Sequence, residues 1–131
     1  VDLLPKPAAF PAFGPASKAY RIRRLRSLNA QPAVLEEIWL DGDQAAQLST
    51  SELSHSLYLY YRNVLKLWIT EAEDQLGLEP VPQWAPDGFE PTPGTPCLFA
   101  ARLSRSQTGE TVEYSQNWID TNVARYVARI K

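Results

Sequence analysis

Residues 19–28 (AYRIRRLRSL) alternate as an extended strand does. Tyr20, Ile22, Arg24, Arg26 and Leu28 share one face, and Ala19, Arg21, Arg23, Leu25 and Ser27 share the other. Asn29-Ala30-Gln31 is a turn signal, and residues 33–41 (AVLEEIWLD) form the returning strand. A three-residue loop would set Arg26 opposite Val34 and Arg24 opposite Glu36. A two-residue loop would set Arg24 opposite Leu35, and the pattern leaves both registers open. Ahead of this hairpin, residues 1–18 hold four prolines, which exclude a long helix or a central strand. A short edge strand at 1–4 and an ordered apolar loop fit there. Residues 42–54 read as a short helical or irregular link. Residues 54–65 (SHSLYLYYRNVL) read as a helix with Ser54 as its N-cap, and 66–78 turn to strand. EPVPQWAPDGFEPTPGTP, with six prolines and two glycines, is a loop with at most one helical turn. Strands over 97–104 and 111–118 flank the hairpin signal SQTGE, and 124–131 are expected to finish as a strand. The sum is an α+β domain, a mostly antiparallel sheet of five to six strands with flanking helices.

Composition narrows the function more than the fold. A chain of 131 residues with 44% apolar content suits a single domain over 1–131. Its 13 basic and 15 acidic residues give a net charge of −2, which argues against a nucleic-acid module despite four arginines between positions 21 and 26. No apolar run approaches the length of a membrane span, and no signal-peptide pattern opens the chain. One cysteine, Cys97, excludes an internal disulfide and fits a reducing, cytoplasmic setting. There is no methionine, so the chain is expected to be part of a longer protein.

Signatures of enzymes are missing: there is no P-loop, GxGxxG or GxSxG, and a single histidine cannot form a histidine-based metal site. His55, beside a helix start, is expected at the surface or as a capping residue, and Cys97 as a small buried hydrophobe. Tyr58, Tyr60, Tyr61 and Trp68 read mainly as core, with Tyr58 able to line a pocket mouth. Arg24 and Arg26 are the sharper case, because they share a face with Tyr20, Ile22 and Leu28. Arginines on an apolar face must be paired. Either they pair with Glu36 or Glu37 or are simply exposed, or they form a fork for a phosphate or carboxylate, which guanidinium groups bind bidentately. Arg21 and Arg23 point the other way and are expected to be solvated or dimer-facing. Glu113, between Val112 and Tyr114, faces either solvent or a cavity.

YRIRRLRSLNAQPAVLEEIWLD resembles the opening hairpin of the UTRA domain, SLYLYYRNVLKLWITEAED its helix-to-strand unit, and RLSRSQTGETVEYSQNWID its closing hairpin. The three motifs stand in the right order over about residues 19–126. UTRA domains are the effector-sensing halves of HutC-type regulators in the GntR group of bacterial transcription factors. The resemblance implies a chorismate-lyase-like fold around a ligand pocket, and DNA contact only through an N-terminal winged helix-turn-helix outside this chain. Apart from the resemblance, apolar residues on both faces of 33–41, including Leu35, Ile38, Trp39 and Leu40, predict a homodimer that buries part of one face. The resemblance further implies that Arg24, Arg26, Ser56 and Tyr58 gather at a ligand's anionic group, and that Glu36 and Glu113 contact its polar groups. Sugar-phosphate-responsive members carry a tyrosine six residues past that last glutamate, where this chain has Ile119. The expected ligand is a small anionic metabolite, namely a sugar phosphate, an organic acid or an amino acid. No cofactor, metal, membrane or catalysis is expected. A chorismate-lyase-type enzyme and a ligandless dimerisation module are the alternatives.

Overall fold

The computed structural model describes residues 1–49 and 56–130. Six strands form one sheet: β1 (Asp2–Pro5), β2 (Lys18–Leu28), β3 (Gln31–Asp41), β4 (Ile69–Pro80), β5 (Pro96–Ser106) and β6 (Thr111–Ile119). Their order is β1-β2-β3-β6-β5-β4, and every neighbouring pair is antiparallel. A 3₁₀ turn at Gly42–Gln44 follows β3, and α1 (Leu57–Tyr60) continues into a π-helical turn at Tyr61–Leu65. This is the expected α+β sheet with its upper strand count.

The β2–β3 register resolves the two alternatives by combining them. Leu28 pairs with Gln31, so the turn has two residues, Asn29 and Ala30, both with positive φ as a type I′ turn requires. Yet Arg24 pairs with Glu36 and Arg26 with Val34. A β-bulge reconciles them, because Ser27 pairs with Pro32 and Ala33 becomes the extra residue on β3. The Ala33 carbonyl accepts the Asp120 N–H at 2.9 Å instead.

Three apolar clusters bury the sheet on both sides. On one face Tyr20, Ile22, Ile38, Leu40 and Val112 pack under Leu57, Tyr60, Tyr61 and Leu67. On the other, the proline-rich segment after β1 lays Phe10 and Phe13 on Trp39 and Tyr114. Further along that face, Val81, Trp84 and Phe89 of the second proline-rich loop cover Leu35 and Trp118. The first of these segments is tied down by charge. Asp41, fully buried, takes Lys6 Nζ at 2.6 Å and the Ala16 N–H at 3.1 Å. Gly14 passes so close, at φ +66°, that a Cβ there would sit 2.1 Å from Asp41 Cγ.

Three local expectations are corrected. Residues 124–130 form no strand: β6 is already paired on both sides, and the chain turns away at Asp120, whose carboxylate and carbonyl take the N–H groups of Asn122, Val123 and Ala124. The N-cap is Ser56, whose hydroxyl accepts from Leu59 N at 3.3 Å, whereas Ser54 and His55 lie outside the described residues. Trp68 is 42% exposed, because Lys66 closes the helical segment in a left-handed conformation and Leu67 takes the buried position.

Candidate functional site

The antiparallel register lays side chains out in rows on the face beneath α1. One row runs Arg24–Glu36–Asn117–Ala100, the next Ile22–Ile38–Ser115–Arg102–Asp74, and the one beyond it Tyr20–Leu40–Glu113–Ser104. Above them a cavity of about 290 Å³ opens between the sheet and α1, near the small end of the range for small-molecule pockets. Arg24, Arg26, Glu36, Ser56, Tyr58 and Glu113 all line it. The structure therefore brings together all six residues singled out from the sequence.

At the β2 end, Glu36 Oε1 lies 3.9 Å from Arg24 Nε and 4.0 Å from Arg26 Nε. These separations are attractive but too long for hydrogen bonds. Oε1 is buried and, among the described residues, has no hydrogen-bond partner. Burial holds the Glu36 carboxyl above its ordinary range, although Arg26, Arg24 and Arg102 pull the other way.

Glu113 sits differently. It is 2% exposed, and both its oxygens are taken: Tyr61 donates to Oε2 at 2.6 Å and Ser104 to Oε1 at 3.0 Å. Since the Ser104 proton goes to Glu113, the 3.2 Å contact between Tyr58 and Ser104 hydroxyls must have Tyr58 as donor. Burial raises the Glu113 carboxyl and, with the Glu113 charge, the phenols of Tyr58 and Tyr61. The relay Tyr58→Ser104→Glu113 thus fixes the direction in which Tyr58 presents its hydroxyl, leaving the phenol oxygen as an acceptor.

The opposite end holds residues that the sequence reading did not single out. Arg102 donates from Nε to Asp74 Oδ1 at 2.6 Å and from Nη2 to Oδ2 at 2.9 Å, and Tyr126 donates to the same Oδ2 at 2.7 Å. Hydrogen bonds from Arg102 and Tyr126 hold the Asp74 carboxyl below its ordinary value, and Asp74 in turn raises the Arg102 guanidinium. All three line the cavity. Arg102 opens the third quoted motif and Asp74 closes the second, but only the cross-strand register and the C-terminal turn bring them together with Tyr126.

On the far face Arg21 and Arg23 are not simply solvated. Arg21 pairs with Asp2 at 3.1 Å, and Arg23 with the buried Glu37 at 3.0 Å while lying over Trp84. Glu37 also accepts from Trp39 Nε1 at 2.8 Å. This is where the pairing with Glu37 falls, and it belongs to Arg23. Cys97 is buried, with its thiol on the Ile119 carbonyl. Among the described residues, no helix is long and apolar enough to cross a membrane, and no cluster of three potential metal ligands occurs.

A protein-family model described as the UTRA domain matches residues 7–125. The HTH-type transcriptional regulator SmoD of Agrobacterium fabrum (strain C58) is 48% identical over 131 residues, which are 100% of this chain and 56% of that protein. The chain thus spans little more than half the length of this curated relative. Among solved structures, a ligand-binding domain from Bordetella bronchiseptica superposes with a TM-score of 0.77 at 20% identity, over 87% of this chain and 74% of that one. A GntR-family transcriptional regulator from Enterococcus faecalis V583 gives 0.72 at 17% identity, over 89% and 84%. At these identities the structural likeness speaks to the fold.

Proposed function

The chain belongs to the UTRA domain family, and from that premise we propose that it is the effector-sensing domain of a GntR-type, HutC-subfamily bacterial transcriptional regulator. In this reading it is a non-enzymatic, cytoplasmic homodimer. It binds a small anionic metabolite in the cavity under α1, and DNA is contacted by a separate domain of the same protein. Binding shifts the population of domain arrangements, and with it the spacing of the DNA-reading heads.

The observation that carries this reading is the state of Glu36. A closed arginine–carboxylate network would have filled the space between strand and helix. Instead the two guanidinium groups stand off at 3.9 and 4.0 Å, around a buried carboxylate oxygen with no hydrogen-bond partner among the described residues. An anion held by Arg24 and Arg26, carrying a hydroxyl or amine toward Glu36, would give that oxygen a donor. The structural salt-bridge reading has the opposite geometry in its favour, short contacts such as Arg23–Glu37.

Calorimetric titration with inorganic phosphate tests this. A charge-assisted hydrogen bond contributes about 1.5–3 kcal/mol, so Arg24→Ala or Arg26→Ala should weaken phosphate binding about 10- to 150-fold. Glu36→Gln should leave phosphate binding unchanged or tighter, since a repelling carboxylate has gone. Equal loss in all three variants with early melting would make the cluster a structural network and sink the proposal.

A further inference from the structure

Resting on that reading, the geometry points to a second recognition pole: we infer that Arg102 binds an acceptor group on the ligand's far end, so that the cavity selects metabolites carrying an anion at one end and a carboxylate or similar acceptor at the other. The sheet sets the distance. Arg24 and Arg26 are on β2 and Arg102 on β5, with β3 and β6 between them. Three inter-strand steps separate their backbones by roughly 14 Å. Guanidinium arms therefore enter the same cavity from opposite sides, with Glu36 and Asn117 on the floor between.

The polar groups at the β5 end decide which chemistry they read. Each Glu113 oxygen already accepts a hydrogen bond, from Tyr61 or Ser104, and the residue is 2% exposed. The group that remains is Arg102, whose five N–H donors outnumber its contacts. Among the described residues, Asp74 takes Nε and one Nη2 proton. Asp74 is itself fixed from behind by Tyr126. A side-on clamp of this kind locks the plane of the guanidinium while leaving donors for a guest, so less conformational freedom is lost on binding. Asp74 and Tyr126 are positioning residues; Arg102 makes the contact.

The test compares three probes on the same protein: inorganic phosphate, glycerol 3-phosphate and 3-phosphoglycerate, which share a phosphate and differ at the other end. Wild type should bind 3-phosphoglycerate at least about tenfold more tightly than glycerol 3-phosphate, the value of one charge-assisted contact. Arg102→Gln should erase that preference and leave inorganic phosphate binding within about twofold. Arg102→Lys keeps an ion pair for Asp74, and so guards against a folding defect. It should lose most of the preference too, because an ammonium engaged by Asp74 offers no second fork. Arg24→Ala should weaken all three probes alike. Phosphate binding that depends on Arg24 with no preference among the probes, or a preference that survives both Arg102 variants, overturns this inference alone. Failure of wild type to bind any probe, or indifference to Arg24→Ala, overturns the proposed function and this inference with it.

Discussion

Glu36 and Glu113 are both acids whose burial favours the protonated form, yet they differ in what surrounds them. Glu113 has two hydroxyl donors, and Glu36 has an unmatched oxygen. For an acid raised on folding, the native state binds its proton more tightly than the unfolded chain. Stability is therefore fully present below the unfolded value, near 4.5 for Glu36, and is lost as pH rises through the higher folded value. Asp74 has the opposite sign, since its lowered carboxyl contributes stability above 3.8 that disappears as pH falls through its folded value. Glu36→Gln removes one titration cleanly. Its melting temperature should exceed that of wild type at neutral pH, and the gap should close as pH falls toward 4.5. Thermal melts of the two proteins across that range check this, and a gap independent of pH would mean the carboxylate charge is not what costs stability there.

At the scale of elements, the proline-rich segment from Lys6 to Ser17 behaves as a strap rather than a tail. Lys6 reaches the buried Asp41 at the end of β3 and also donates to the Phe13 carbonyl. Lys6→Ala would strand a buried carboxylate and should cost about 3–5 kcal/mol. Urea unfolding should show the midpoint falling at an unchanged slope. Phosphate affinity should hold, because the pocket lies on the opposite face. Neither the strap's anchor nor the bulge at Ala33 was legible in the sequence, and for the same reason: each depends on partners far along the chain. Period-two alternation located β2, and the turn signals at 29–31 and SQTGE located β3, β5 and β6. The strand expected over 124–131 does not form over 124–130, because the chain turns away at Asp120. The six pocket residues were legible only through the family motifs. Spacing alone could not tell a fork from a salt bridge, and the far pole at Asp74 and Tyr126 needed the register of β4 on β5 and the turn at Asp120.

For the molecule as a whole, apolar residues on both faces of β3 suggested that a second copy must cover one of them. The chain covers that face itself with Phe10, Phe13, Trp84 and Phe89. The proposed homodimer is left with what stays open, the outer strand β4, where Leu76 is 52% and Leu78 is 72% exposed. A long edge strand with exposed leucines calls for a partner. Static light scattering at high micromolar concentration should give a dimer for this chain and a monomer for Leu78→Glu; a monomeric wild type would end the proposal. The strand order carries a consequence in time rather than space. β6 is the last strand among the described residues, yet it lies at the centre of the sheet, pairing Val34 with Ile119 on one side and Leu98 with Ile119 on the other. Until it emerges during synthesis, β1-β2-β3 and β4-β5 are two unjoined sheets, and the open edges of β3 and β5 are templates for misassembly. Such long-range closure makes for slow folding. The cavity floor spans both halves, so the pocket comes into being only when β6 joins them.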